Sequence, residues 1–301
     1  MKIICIGQST LDICMPLDQP ITENVKFRVY DKVEAAGGPS TNASILLGKW
    51  GEDVTLFSRL GEDIYATHIK DSLNKNRVKH HSIPCVDFET PISVILTSKA
   101  NGNRTIFNCP GKIDPTDYSV EGQYDLFLSD GHEPELAHRF LDQHPSIVSI
   151  LDAGGYRQPT VELAKRVNWL VASEDFAEGY SGINIDINDE ATWRTVFNKL
   201  HELNKHPIVT LGHLGCLYEE EGIIHHLPAF KAKAIDTNGA GDIFHGAFVY
   251  GLAHHLSLRE ILTLASMTSS ISVTRRTGET KIPLLQEVLD RLNQEKGSNN
   301  V

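Results

Sequence analysis

The run Asp236-Thr237-Asn238-Gly239-Ala240-Gly241-Asp242 leads straight into the apolar stretch Ile243-Phe244-His245-Gly246-Ala247-Phe248. A Gly-Ala-Gly turn that begins a helix leaves several backbone N–H groups without intrahelical acceptors, pointing the same way, with the positive end of the helix dipole behind them. Gly239, Ala240 and Gly241 therefore form a candidate anion hole. Asp242, in the first turn, stands where it could accept the proton of a hydroxyl attacking a phosphate held there. A carboxylate is a weak base toward an alcohol, but it serves where the proton leaves late in a loose phosphoryl-transfer transition state. The competing reading is that Asp242 only caps the helix and the glycines permit close packing. The run lacks the Lys-Ser/Thr ending of a P-loop, so that mechanism does not apply.

A second block, Ala36-Gly37-Gly38-Pro39-Ser40-Thr41-Asn42-Ala43, again sets a glycine pair before a helix. Gly37 and Gly38 let the backbone approach a ligand, and Asn42 offers both a donor and an acceptor to vicinal hydroxyls. Upstream, Gly7-Gln8-Ser9-Thr10-Leu11-Asp12 places a carboxylate just past the end of the first strand, the rim where open α/β sheets bind ligands. Asp12 would accept from two hydroxyls, or serve as a turn residue. Thr210-Leu211-Gly212-His213-Leu214-Gly215 closes another strand at a turn suited to the ribose or phosphates of a nucleotide. His245 either lines the pocket or packs beneath it. Asp130-Gly131-His132 and Asp152-Ala153-Gly154-Gly155 end two strands, and the pairs His80-His81, His225-His226 and His254-His255 read as lid or surface positions rather than metal sites.

The elements that must position these residues follow from periodicity. Ile3–Ile6, Val54–Phe57, Leu126–Leu128, Ile147–Leu151, Trp169–Val171 and Ile208–Leu211 are short continuous apolar runs, as expected for strands covered on both faces. Helical spacing recurs over Thr41–Trp50, Asp189–Leu203 and the stretch after Gly241. Strand and helix in alternation predict an α/β doubly wound, mainly parallel sheet flanked by helices. Phe27–Glu34, Ser93–Ser98 and Arg104–Asn108 break the rhythm, and Asn101-Gly102 is a hairpin signal. These pieces predict a small β-sheet projecting from the main domain, contributed by about 13–36 and 88–112. No repeat or linker interrupts the chain, so 1–301 reads as a single domain.

The 301 residues carry 28 basic and 39 acidic side chains, a formal charge of −11 that disfavours nucleic-acid or anionic-membrane partners. A hydrophobic fraction of 41% is ordinary for a globular chain with a full core. Cys5, Cys14, Cys85, Cys109 and Cys216 form no C-x-x-C pair, so neither zinc nor a disulfide framework is expected. The start Met1-Lys2-Ile3-Ile4-Cys5-Ile6-Gly7 is too short an apolar run for a signal peptide, and no stretch approaches a membrane span. A cytoplasmic protein is expected, with a polar tail from Glu295.

From Gly7 to Pro283 the chain resembles the ribokinase-like, or phosphofructokinase-B-type, carbohydrate kinases. The resemblance rests on Ala36–Asn42 and Asp236–Asp242, which look like that family's two signatures, with Arg59-Leu60-Gly61-Glu62-Asp63 and Gly102-Asn103-Arg104-Thr105 between them. It implies ATP-dependent phosphorylation of a primary hydroxyl on a sugar, sugar acid or related polyol, with Mg2+ and a β-sheet lid. Asp242 then becomes the catalytic base and Gly239, Ala240 and Gly241 the anion hole. Asp12, Gly37, Gly38 and Asn42 bind the sugar. Thr210, Gly212 and Gly215 take the nucleotide, and Ser266 stands where many members place an Asn near the adenine. The alternatives are a nucleoside kinase and a non-catalytic sugar or nucleotide sensor. Exposed lid strands favour a homodimer through the lid.

Two departures stand out. The family's Asn-x-x-Glu corresponds here to Ser173-Glu174-Asp175-Phe176, leaving the magnesium ligands unassigned, with Glu174 or Asp175 as substitutes. In Arg275–Pro283, Thr277 and Lys281 fall in the family's monovalent-cation loop, where a glycine and a small residue are usual. A lysine ammonium there would stand in for K+.

Overall fold

Ile3, Ile4, Cys5 and Ile6 are all inaccessible to solvent, yet they serve two different cores. Successive side chains of a strand point to opposite faces, so Ile3 and Cys5 join one apolar cluster while Ile4 and Ile6 join the other. Residues 126–128 divide the same way, with Leu126 and Leu128 on the first side and Phe127 on the second. This double burial is why the strands read as unbroken apolar runs.

The structure is a computed structural model that describes residues 1–85, 87–100, 102–111, 118–278 and 280–298. Its strands are β1 Lys2–Ile6, β2 Thr10–Leu17, β3 Val33–Gly37, β4 Asp53–Ser58, β5 Lys79–Ser82, β6 Ile92–Ser98, β7 Arg104–Cys109, β8 Leu126–Ser129, β9 Val148–Ala153, β10 Trp169–Ser173, β11 Pro207–Thr210, β12 Cys216–Glu220 and β13 Ile223–Leu227. Its helices are α1 Pro39–Lys49, α2 Ile64–Lys75, α3 Pro134–Gln143, α4 Gln158–Ala164, α5 Glu174–Ser181, α6 Glu190–Leu200, α7 Ala240–Ala253, α8 Leu258–Ser272 and α9 Leu285–Ser298.

The large sheet runs β13-β12-β11-β10-β9-β8-β1-β4-β5 and is parallel from β11 to β5, with β12 and β13 antiparallel at one edge. Helices α1, α2, α7 and α8 cover the face of Ile3 and Cys5, and α3 to α6 cover the other. The predicted doubly wound sheet is thus present, and so is a separate four-stranded sheet, β3-β2-β6-β7. Among the described residues no helix is long and apolar enough to cross a membrane.

The small sheet differs in detail from expectation. Residues 27–32 form no strand, and β3 begins at Val33 and runs into the glycine pair at Gly37. The segment at Asp12, read as the rim past the first strand with a turn as the alternative, lies within strand β2, which pairs in parallel with β6. The hairpin between β6 and β7 exists, closed by Ser98 N–H donating to Asn103 O at 2.8 Å. Asn101 itself, Lys112 at the edge of the expected lid, Glu279 and the terminal residues 299–301 lie outside the described residues. The pairs His80-His81 and His225-His226 sit on β5 and β13, the two edges of the large sheet, and not on the lid.

Candidate active site

Two helix starts build the site. At Gly38 the chain turns into α1 with φ +97°, and a methyl there would overlap the Gln8 carbonyl oxygen, so only glycine fits. Pro39 then supplies the preset first-turn φ, and Asn42 follows one turn in. Just past the end of β8, buried Asp130 caps this helix: its carboxylate accepts from Ser40 N at 3.0 Å and Gln8 N at 2.9 Å. Burial alone would raise the Asp130 carboxyl; His132 and the amides outweigh it and hold it at about 2. The second start is Gly239, left-handed at φ +70°, which caps α7. Helices α1 and α7 pack closely, with Gly246 letting the Ala43 carbonyl approach. Their first turns therefore meet, and Asn42 Nδ2 donates to Asp242 Oδ2 at 2.7 Å.

Asp242 is half-buried at the floor of the cleft. Among the described residues the amides of Gly239, Gly241 and Asp242 have no acceptor, whereas Ala240 N–H donates to Thr237 O at 3.3 Å. One of the three expected donors is thus engaged, while the Asp242 amide, which the sequence did not single out, is free. A methyl on Gly241 would meet nothing within 4 Å, so the space above the turn is open. Asp242 Oδ2 lies 3.6 Å from where a methyl on Gly239 would sit. Carboxylate and loop amides thus converge on one open volume. Burial pushes the Asp242 carboxyl up, against the pull of Asn42 and His245, which makes it a better base than a free aspartate.

His245 is 3% exposed and packs beneath the helix start instead of lining the pocket. Its Nδ1 lies 2.7 Å from Gly241 O and 3.2 Å from Asp152 Oδ2, and its Nε2 lies 3.2 Å from Val171 O. Burial lifts Asp152 to about 7 against the pull of His245.

Asp12 is 6% exposed and faces Asn238, whose Nδ2 donates to its Oδ2 at 3.2 Å. Burial, with the charges of Asp242 and Asp236, raises it to about 7. A methyl on Gly37 would run into the Asp12 carboxylate, so the bare glycine is what admits that side chain. Asp12, Asn42, Asn238, Gly239, Thr277 and Lys281 border a cavity of about 470 Å³, within the range of small-molecule sites. From the small sheet, Arg104 Nη1 donates to Thr237 Oγ1 at 2.8 Å, joining the lid to the loop.

The other residues singled out from the sequence lie on β11, the turn that follows it, α8 and the β10–α5 junction. Thr210 ends β11 in register with Ser173 and donates to Ala172 O at 3.3 Å. Exposed Gly212 begins the turn, and Gly215 closes it by accepting Leu211 N–H at 2.7 Å. Ser266 is buried on α8, one turn before Ser269, whose hydroxyl donates to Ala240 O at 2.9 Å. At the altered Asn-x-x-Glu string, Ser173 caps α5 by accepting from Phe176 N at 3.1 Å. Phe176 is wholly buried in the core and offers nothing polar. Glu174 is half-buried, raised by burial and by Glu178 and Asp175, and feels His213 of the Gly212–Gly215 turn; Asp175 is exposed. No cluster of three His, Cys, Asp or Glu side chains suited to a metal occurs among the described residues.

A mainly parallel sheet between helices, a detached small sheet and two helix starts sharing one cleft define the ribokinase fold class. The chain belongs to the pfkB family of carbohydrate kinases, whose family model, described as "pfkB family carbohydrate kinase", matches residues 1–284. It is 24% identical to a ribokinase of Lactococcus lactis, covering 97% of each chain. It is 22% identical to a nucleoside kinase of Methanocaldococcus jannaschii, covering 98% of each. The solved ribokinase of Arabidopsis thaliana complexed with ribose and ATP superposes with a TM-score of 0.78 at 21% identity, covering 96% of this chain and 97% of that one.

Proposed function

We propose that this carbohydrate kinase transfers the γ-phosphoryl of ATP to a primary hydroxyl of a sugar, sugar acid or related polyol. The observation that carries the reading is the half-buried Asp242 carboxylate facing the same open volume as the amides of Gly239 and Gly241, which have no acceptor among the described residues. The acceptor's secondary hydroxyls bond to Asp12 and Asn42, and Gly37 and Gly38 bring the backbone close to it. Its primary hydroxyl meets Asp242. As that oxygen bonds to the γ-phosphorus, the bridge to the β-phosphate breaks, the proton passes to Asp242, and ADP leaves. Charge on the transferring oxygens is met by the loop amides and the α7 dipole. The nucleotide runs along Thr210, Gly212 and Gly215, with its adenine toward Ser266. Magnesium, when bound, would neutralise phosphate charge, and half-buried Glu174 would be the carboxylate to hold it. Closure of the small sheet excludes water from the reaction, and the Arg104–Thr237 bond supports such a contact.

A nucleoside acceptor is the second reading, favoured by the nucleoside kinase among the relatives. A silent sensor is disfavoured, because a sensor has no use for a base held at an anion hole. Strand β7 has an open edge carrying exposed Ile106 and Phe107, which supports pairing of two lids in a homodimer. A coupled ADP-release screen over pentoses, hexoses, sugar acids and nucleosides tests the reading. Sugar-dependent ADP release supports it, release with nucleosides alone selects the second, and release with none contradicts both.

A further inference from the structure

Beneath the anion-hole loop lies a buried ammonium. Lys281 is 5% exposed, and its Nζ donates to Asp236 O at 2.7 Å while lying 3.3 Å from Asp236 Oδ1 and 3.4 Å from Arg275 O. Two of these three oxygens are main-chain carbonyls. The other carboxylate oxygen of Asp236, Oδ2, accepts from Thr277 N at 2.8 Å and Thr277 Oγ1 at 2.7 Å, while Oδ1, the oxygen nearer the ammonium, also accepts from Asn238 N at 2.9 Å. One positive charge thus ties segment 236–238, which leads into Gly239, to segment 275–277. An ammonium is costly to bury unless it is paired and hydrogen-bonded, so its place under this turn is a constraint on the turn itself. Burial pushes the Lys281 ammonium toward losing its proton, and Asp236 pulls it back.

The family resemblance implies a monovalent cation in this loop. The residues present do not fit one: the Lys281 ammonium already fills the space between the Asp236 and Arg275 carbonyls and the Asp236 carboxylate. A second cation there would meet a like charge at contact distance. We infer that Lys281 is this chain's own monovalent cation, a positioning residue that holds the Asp236–Gly239 turn in register for the Gly239, Gly241 and Asp242 amides. The protein therefore needs no potassium. The inference goes beyond the proposed reaction and is testable without knowing the acceptor.

The test compares the native chain, Lys281→Ala and Lys281→Met in sodium, potassium and ammonium chloride at equal ionic strength. The first readout is melting temperature, which a bound cation raises by mass action; the second is ADP release. The native protein should melt within about 1 °C, and turn over within about 1.5-fold, in all three salts. Lys281→Ala, which opens an oxygen-lined void, should melt several degrees lower in sodium and recover saturably in potassium or ammonium, with at least fivefold recovery of turnover. Lys281→Met fills the void without charge and should lose turnover with no response to salt. Lys281→Ala that melts identically in all three salts overturns the inference. So does a native protein that potassium stabilises or activates several-fold, a result that stands even if neither variant folds. A salt-independent native melt together with failed ADP release would leave the inference intact and condemn the proposed reaction instead.

Discussion

Asn42 and Asp242 are 200 residues apart in the chain and 2.7 Å apart in space, joined by the Asn42 amide donating to the Asp242 carboxylate. That bond makes one site of the two glycine-rich helix starts, since each side chain stands in the first turn of its own helix. It also opposes the effect of burial, which pushes the Asp242 carboxyl up. Asn42→Ala should therefore raise that carboxyl further. A base with a raised pKa is protonated sooner as pH falls, so the acid limb of kcat/KM should move to higher pH by about 0.5–1 unit. A pH–rate profile from pH 5 to 9 checks this; an unmoved limb would remove Asn42 from the base's environment.

Asp12 carries a second pH consequence, for stability. Its carboxyl is raised from 3.8 to about 7, so between those values the folded chain holds a proton that the unfolded chain has lost. Stability from this group is complete below 3.8 and disappears as pH rises toward 7, on the order of 1 kcal/mol per pH unit. Asp12→Asn removes the loss. At pH 8 the variant should melt a few degrees above the native protein, while the acceptor KM rises at least tenfold. A variant that melts lower than native at pH 8 contradicts this account of Asp12.

Gly37 and Gly241 make a contrasting pair. A methyl on Gly37 overlaps the Asp12 carboxylate, whereas one on Gly241 meets nothing within 4 Å. Gly37→Ala should therefore displace Asp12 and raise the acceptor KM at least tenfold, with nucleotide affinity unchanged. Gly241→Ala should fold within about 1 kcal/mol of native stability but place its methyl in the volume assigned to the transferring phosphoryl. Its kcat should fall at least tenfold. Steady-state kinetics and thermal melts on the two variants decide; a Gly241→Ala enzyme of native kcat would empty that volume of its role.

Glu174 and Asp175 separate in the same manner. Half-buried Glu174 lies in the field of His213 while Asp175 is exposed. Glu174→Gln should raise the magnesium concentration for half-maximal turnover several-fold, and Asp175→Asn should leave it within twofold. A magnesium titration of ADP release checks this; equal effects would remove the assignment.

Much of this arrangement was legible before any coordinates. The parallel strands announce themselves because residues such as Ile3–Ile6 are buried on both faces, and both helix starts are marked by glycines that sterics demand. Strand β2 was not legible, because an aspartate is rare in a strand interior and Asp12 is tolerated there only through the bare Gly37 beside it. Strands β12 and β13 escaped because the acidic end of β12, Glu219-Glu220, and the Glu221-Gly222 turn mask a short edge pairing. The Asp130 cap on α1 is a contact over 90 residues that no local pattern encodes. Asn238 was visible only as part of a motif, and its bond to Asp12 spans 226 residues. Lys281 showed as an odd residue in a familiar loop, but its burial against Asp236 needed the fold.

The central claim is that the Asp242 carboxylate takes the acceptor's proton while the neighbouring amides hold the phosphoryl group. Turnover of Asp242→Asn, with the acceptor that the ADP-release screen identifies, tests it most directly when read beside ATP affinity and melting temperature. The account predicts a loss of at least 1000-fold in kcat, on the order of a lost general base, with ATP affinity within about threefold and the fold intact. Phosphorylation retained above about one percent of native, in a folded variant that still binds ATP, would contradict it.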